Sequence, residues 1–207
     1  MVGSSIKRIL QKHKYGLKKY GGNLLTPARS ELNLLDYSSV FSWMQKHRPT
    51  IVIVAAAKVG GILANSSFPA DFLLENLKIQ TNIIDSSWKL GVKRLLFLGS
   101  SCIYPKYANQ PINEEELLNG SLEETNESYA ISKITGIKLC ESLRKQYGFD
   151  AISLMPTNLY GPNDNYHPQN SHVLPALISR FKNAKEANLN SVTCWGTGNA
   201  LREFLYV

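Results

Sequence analysis

Tyr129 and Lys133 stand four residues apart in Tyr129-Ala-Ile-Ser-Lys133, a spacing that puts a phenol and an ammonium on one face of a helix. A neighbouring ammonium favours the phenolate, so the pair predicts a tyrosine of lowered pKa that passes a proton to or from an oxygen near neutral pH. Ser100 ends a run of strand-forming residues 29 positions before Tyr129, and its hydroxyl can hydrogen-bond the same oxygen. The three together suit hydride transfer between a nicotinamide and a carbonyl. Tyr-x-x-x-Lys alone says little, because many exposed helices contain it by chance. The strand-end serine in a chain of βα pattern is what gives it weight.

Cys102, Cys140 and Cys194 are an odd number at wide spacing without a Cys-x-x-Cys pair, which speaks against a disulfide framework and against a metal cluster. Cys140 lies beside Leu139 and near Leu143 and reads as core; Cys194 flanks Trp195 in a strand-like run and reads as packing too. Cys102, two residues past Ser100, is either a buried small hydrophobe or a reactive thiol, and a thiolate near neutral pH requires an electropositive setting.

Strand-length apolar runs must position these groups. They cover 50–55, 92–98 and 151–155, with a shorter one at Ser191-Val-Thr-Cys-Trp195. Between them the pattern predicts helices, one capped by Ser38 or Ser39 and running to His47, one from Pro69 to about Leu90, and one from Ser128 through Tyr147, stopped by Gly148. The alternation indicates an α/β chain with a doubly wound parallel sheet, and near-continuous Val/Ile/Leu strands imply helices on both of its faces. The stretches 99–127 and 156–172 read as long loops leaving the C-terminal ends of strands, where ligands bind in open α/β sheets. The chain opens Met1-Val2-Gly3-Ser4-Ser5 and passes directly into a helix, so Gly3 can only be the last glycine of a phosphate loop. The first strand of the 3-2-1-4-5-6 order is therefore expected to be absent, leaving its neighbours unpaired.

With 207 residues, 43% of them apolar and 19% charged, the composition excludes a disordered chain. No stretch approaches the roughly 18 apolar residues of a membrane span, and the first twenty residues contain no apolar signal core, so a soluble cytoplasmic protein without membrane contact is expected. The net charge is +7, and Lys7, Arg8, Lys12, Lys14, Lys18 and Lys19 precede any acidic residue. No nucleic-acid motif accompanies them, and nucleic acid is not expected as a partner. A solvated helix face backed by Ile6, Ile9 and Leu10 explains them, as does a positive potential that steers a phosphate-bearing small molecule into a cleft.

Gly99-Ser-Ser-Cys-Ile-Tyr-Pro105, Tyr129 to Lys133, Met155-Pro-Thr-Asn-Leu-Tyr-Gly-Pro162, Asn170-Ser-His-Val173 and Arg202-Glu-Phe204 form a specific set of motifs. Together with Glu31-Leu-Asn-Leu-Leu-Asp36 and Ala55-Ala-Ala-Lys-Val-Gly-Gly-Ile62, the set resembles the GDP-L-fucose synthases of the extended short-chain dehydrogenase/reductase superfamily. These are NADPH-dependent 3,5-epimerases and 4-reductases of GDP-4-keto-6-deoxy-D-mannose. The resemblance implies a Rossmann-like NADP-binding domain over 1–162 and the start of a smaller substrate-binding subdomain over 163–207.

It also implies roles. Cys102 would be the base that removes a proton beside the ketone, His172 the acid that returns one to the opposite face, and Tyr129 the proton donor when C4 is reduced. Lys133 would bind the nicotinamide ribose. Leu98, Gly99, Ser100 and Ser101, then Pro156, Thr157, Asn158 and Leu159, would line the nicotinamide with His172. Gly3 would belong to the phosphate loop and Arg29 would meet the 2′-phosphate of NADP, unless it is a plain surface arginine. Arg180, Trp195 and Arg202 would hold the GDP-sugar, and the two long helices would build a homodimer.

The chain departs from the resemblance in lacking the first strand and two loop glycines, in a longer segment over 13–23, and in ending at Val207. These departures suggest an internal piece, expected to bind NADP weakly or not at all. Two other readings share most of the motifs: another nucleotide-sugar epimerase or dehydratase with Ser/Tyr/Lys, and a non-catalytic relative.

Overall fold

The computed structural model describes residues 1–168 and 170–207. In chain order it forms α1 (Val2–Lys12), α2 (Tyr37–His47), β1 (Ile51–Val54), α3 (Ile62–Ser67), α4 (Pro69–Lys89), β2 (Arg94–Leu98), α5 (Glu127–Tyr147), β3 (Ala151–Leu154), β4 (Asn158–Tyr160), α6 (Val173–Glu186) and β5 (Phe204–Tyr206). β1, β2 and β3 pair in parallel in that order, and helices make both crossovers, as parallel neighbours require. The parallel α/β architecture is the expected one.

Register settles which side chains face the helices. Val52 pairs with Leu95, Val54 with Phe97, and Leu95 with Ala151. These residues join Val40 and Met44 of α2, Ile79, Ile83 and Ile84 of α4, and Ile137, Cys140 and Leu143 of α5 in one core. The alternate set, Ile51, Ile53, Leu96, Leu98, Ile152 and Leu154, lies on the other face, where Ile51, Ile152 and Leu154 are exposed. Helices on both faces were expected; α2, α4 and α5 crowd one. Right-handed crossovers that step in one direction across a sheet put their helices on one side.

Local chemistry explains the helix ends. Asp36, rather than Ser38 or Ser39, caps α2, its carboxylate accepting the Ser39 N–H at 2.8 Å. Pro69 occupies the first turn of α4, where a missing N–H costs nothing. α5 ends where Gly148 adopts φ +68°, its N–H donating to the Arg144 carbonyl at 3.0 Å. In α1, Lys7, Arg8 and Lys12 are exposed as expected, but only Ile6 and Leu10 are half-buried, whereas Ile9 is 52% exposed.

Two expectations in the C-terminal part fail. Residues 191–195 form no strand; Cys194 and Trp195 are exposed rather than packed, since no neighbouring strand offers them a ladder. Conversely the stretch 156–172, expected as loop, contains β4, which pairs in parallel with β5. Among the described residues no helix is long and apolar enough to cross a membrane.

Candidate active site

A cavity of about 680 Å³ opens beyond the C-terminal ends of β1, β2 and β3. Each wall is the segment that leaves one of those strands: Ala55 to Ala57 after β1, Leu98 to Ser101 after β2, and Pro156 to Leu159 after β3. The N-terminus of α1 supplies Met1, Val2 and Gly3, the segment before α2 supplies Arg29, and α5 supplies Tyr129 and Lys133. His172 closes the wall together with Asn163, Asp164 and Asn165. Every residue that the resemblance assigned to the cofactor thus lies on this one cavity.

Ser100 is the hub of the chemistry. The Cys102 thiol donates to its Oγ at 3.2 Å, and Ser100 and Tyr129 line the same cavity, close enough for the serine to pull the phenol's pKa down. Lys133 is buried at 4% exposure, and its ammonium donates to the Leu98 carbonyl at 2.8 Å. It stands 4.9 Å from the centre of the Phe97 ring and 5.7 Å from that of Tyr129.

Burial governs how these groups titrate. It lowers Lys133 to about 8, against a smaller pull from Cys102. It raises Tyr129 far above the ordinary phenol value, with Cys102 adding and Ser100 opposing. The expected lowering of Tyr129 by Lys133 is therefore not found: desolvation of the phenolate dominates, and the opposing pull comes from Ser100 and not from Lys133. The Cys102 thiol is likewise raised by burial, with Ser100 and then Lys133 pulling it down. His172, at the accessible rim where α6 begins, has its imidazole lowered by desolvation and raised by Asp164.

The residues expected to hold a GDP-sugar stand apart from the cavity. The Arg180 guanidinium lies 4.8 Å over the Trp195 ring and donates to the Thr193 carbonyl at 3.4 Å. Arg202 is exposed and donates to its neighbour's carbonyl, on Leu201, at 2.7 Å. Arg180 and Trp195 therefore form one unit and Arg202 another.

Sequence reasoning missed the residues that fix the wall after β1. Asn65 Nδ2 donates to the Gly60 and Gly61 carbonyls at 2.8 and 3.0 Å, and Asn76 binds the backbone of Lys58. A polar residue in the apolar stripe Phe72, Ile79, Ile83 of α4 was the signal that could have shown Asn76.

The family model that describes the NAD dependent epimerase/dehydratase family matches residues 1–207. The chain belongs to that family. The parallel order β1-β2-β3 is that of one arm of a Rossmann-like sheet. Within the epimerase/dehydratase family, it is 58% identical over 207 residues to GDP-L-fucose synthase 1 of Arabidopsis thaliana, a match covering 100% of this chain and 62% of that protein. GDP-L-fucose synthase of Escherichia coli (strain K12) is 54% identical over 207 residues, with 100% and 63% covered. The solved structure of a GDP-L-fucose synthetase from Naegleria fowleri bound to NADP is similar with a TM-score of 0.84 at 31% identity, over 99% of this chain and 65% of that one. The chain spans 62 to 63% of the length of the two curated relatives.

Proposed function

We propose that this site is that of a GDP-L-fucose synthase, which converts GDP-4-keto-6-deoxy-D-mannose to GDP-L-fucose by 3,5-epimerisation and then reduction of the 4-ketone. The observation that carries this reading is the grouping at Ser100, whose Oγ accepts from the Cys102 thiol and which lines one cavity with Tyr129 and Lys133. A ketone held at that hydroxyl has a base beside its flanking carbons and a proton donor at its oxygen. Reduction alone requires only the phenol; epimerisation requires the thiol.

The cavity fits NADP(H) by its donor set. The first turn of α1 has no acidic residue and no side-chain cap, so its N–H groups are open to phosphate oxygens. Arg29 and Lys133 contribute cationic groups to the same cavity. Bound NADPH supplies the hydride for C4.

Every other step falls to the chain. Cys102 takes the proton from the carbon next to the ketone, and the resulting enolate is held by Ser100 and Tyr129. His172 returns a proton from the other face of the ring, and the pair serves C3 and C5 in turn because one ketone acidifies both. Tyr129 then protonates the C4 oxygen, with Lys133 beside it as the local positive charge. Arg180 with Trp195, and Arg202, hold the GDP-sugar: the guanidinium groups suit its diphosphate, and the indole covers a ring face.

A homodimer through α4 and α5 and a cytoplasmic location complete the proposal. Leu74 on α4 and Ile131 on α5 are exposed apolar side chains consistent with such an interface. Incubation of the chain with NADPH and GDP-4-keto-6-deoxy-D-mannose tests the reading. NADPH binding, weak as the departures in the phosphate loop imply, and appearance of GDP-L-fucose are expected; absence of both binding and turnover would overturn the reading.

A further inference from the structure

None of the ion pairs among the described residues includes Lys133, although its ammonium is taken out of water. One carbonyl, that of Leu98, accepts one of its three N–H bonds. Directly against it is the Phe97 ring, itself 1% exposed, with the ammonium 4.9 Å from its centre. An aromatic face attracts a cation through its quadrupole, and the attraction grows when water is excluded.

The ring reaches that place because of a glycine. Gly136 lies three residues beyond Lys133 on α5, on the same side of the helix. A Cβ there would stand 2.5 Å from Phe97 Cζ and 2.8 Å from Cε1. Glycine is disfavoured inside a helix relative to alanine, and here its missing side chain is the space the ring occupies.

We propose that Phe97 is a positioning residue for Lys133, its ring forming the seat of the ammonium in a slot that Gly136 leaves open. The proposal deepens the functional reading above and rests on it for its purpose, which is to keep Lys133 charged and aimed beside Tyr129. The titratable groups that face Lys133 are Tyr129 on its own helix and Cys102 after β2. Neither is an anion while protonated, so among the described residues the π face is the one permanent attraction besides the Leu98 carbonyl.

The test is a side-chain NMR titration of Lys133 in the chain without added nucleotide, its resonance assigned with Lys133→Met. Replacing Phe97 by a ring-trifluorinated phenylalanine weakens the quadrupole at nearly constant shape. The Lys133 pKa should then fall by about half to one unit. Phe97→Leu should lower it similarly, and Gly136→Ala should do the same by displacing the ring. An unmoved titration in the fluorinated protein would overturn the seat, even if Phe97→Leu shifts it, since packing alone would then be the cause. If the trifluorinated protein fails to fold, a singly fluorinated ring at Phe97, whose quadrupole is weakened less, should give a proportionally smaller fall, and an unmoved titration there would overturn the seat. Because no nucleotide is present, a failed seat leaves the functional reading standing. A shifted titration in a chain that neither binds NADPH nor turns over would sink the functional reading alone.

Discussion

Asn76 holds both backbone polar groups of Lys58: its Oδ1 accepts the Lys58 N–H at 2.8 Å and its Nδ2 donates to the Lys58 carbonyl at 3.0 Å. Nδ2 also donates to the Phe72 carbonyl on its own helix at 2.8 Å, and the residue is 2% exposed. One buried amide of α4 therefore fixes the peptide that forms the cavity wall after β1.

Asn76→Leu should accordingly destabilise the chain by about 3 kcal/mol, because it strands buried backbone groups. The Lys58 side chain gives the contrast. Its ion pairs with Asp71 and Glu75, at 3.2 and 2.5 Å, are partly solvated, so Lys58→Ala should cost less than about 1 kcal/mol. Urea denaturation measures both, and equal costs would contradict the assignment. NADPH affinity should weaken in Asn76→Leu more than in Lys58→Ala.

Lys133 predicts a pH dependence of stability. Its folded value of about 8 lies below the ordinary 10.5, so the unfolded chain binds more protons between those limits. The cost of burying it is complete below the folded value and recedes as the pH rises. Lys133→Met should therefore be more stable than the parent near neutrality, and its advantage should shrink by about 2 kcal/mol between about pH 7 and about pH 9.5. Denaturation at the two pH values checks this, and a constant advantage would refute it.

How far the sequence discloses this site depends on whether a relation is local or tertiary. Tyr129 and Lys133 share a helix face because four residues of α5 put them there, and Ser100 follows a strand whose apolar run is evident. The sign of the Tyr129 shift is different: proximity of an ammonium predicts a lowered phenol, and only the packed structure reveals the desolvation that reverses it. Phe97 and Gly136 were silent for the same reason, since they meet 39 residues apart in sequence, and Asn76 showed only as a polar residue in an apolar stripe, its bonds to Lys58 spanning 18 residues. The 191–195 run has strand-forming residues but no strand to pair with. β4, three residues long, has a partner in β5 but is too short to show a period.

The three thiols should differ sharply toward an alkylating reagent. Cys194 is exposed and should react first. Cys102 is raised by burial and should react slowly, while Cys140, buried and pushed up to about 11, should react last. Saturating NADPH should protect Cys102 and leave Cys194 unaffected. Peptide mass spectrometry gives the order, and protection of Cys194 rather than Cys102 would place the nucleotide elsewhere. In turnover, Cys102→Ser should slow epimerisation by about 100-fold or more while sparing NADPH binding.

Arg29 tests the end of the cavity that recognises the nucleotide. Its turn is held locally, since Glu31 accepts the Ala28 N–H at 2.6 Å and the Leu32 N–H donates to the Ala28 carbonyl at 3.1 Å. The guanidinium itself is exposed at the cavity edge. A guanidinium there can pair with a 2′-phosphate, and charged hydrogen bonds of about 1.5 to 3 kcal/mol correspond to roughly 10- to 100-fold in affinity. Arg29→Ala should therefore weaken NADPH by that factor and leave NADH unchanged, removing the preference instead of the binding. Because the group is solvated, the parent's preference should also shrink as ionic strength rises, whereas the variant's should not. Calorimetric titration of both nucleotides at two salt concentrations decides the matter: an equal loss for NADH would make Arg29 a wall of the cavity and not its reader of phosphate.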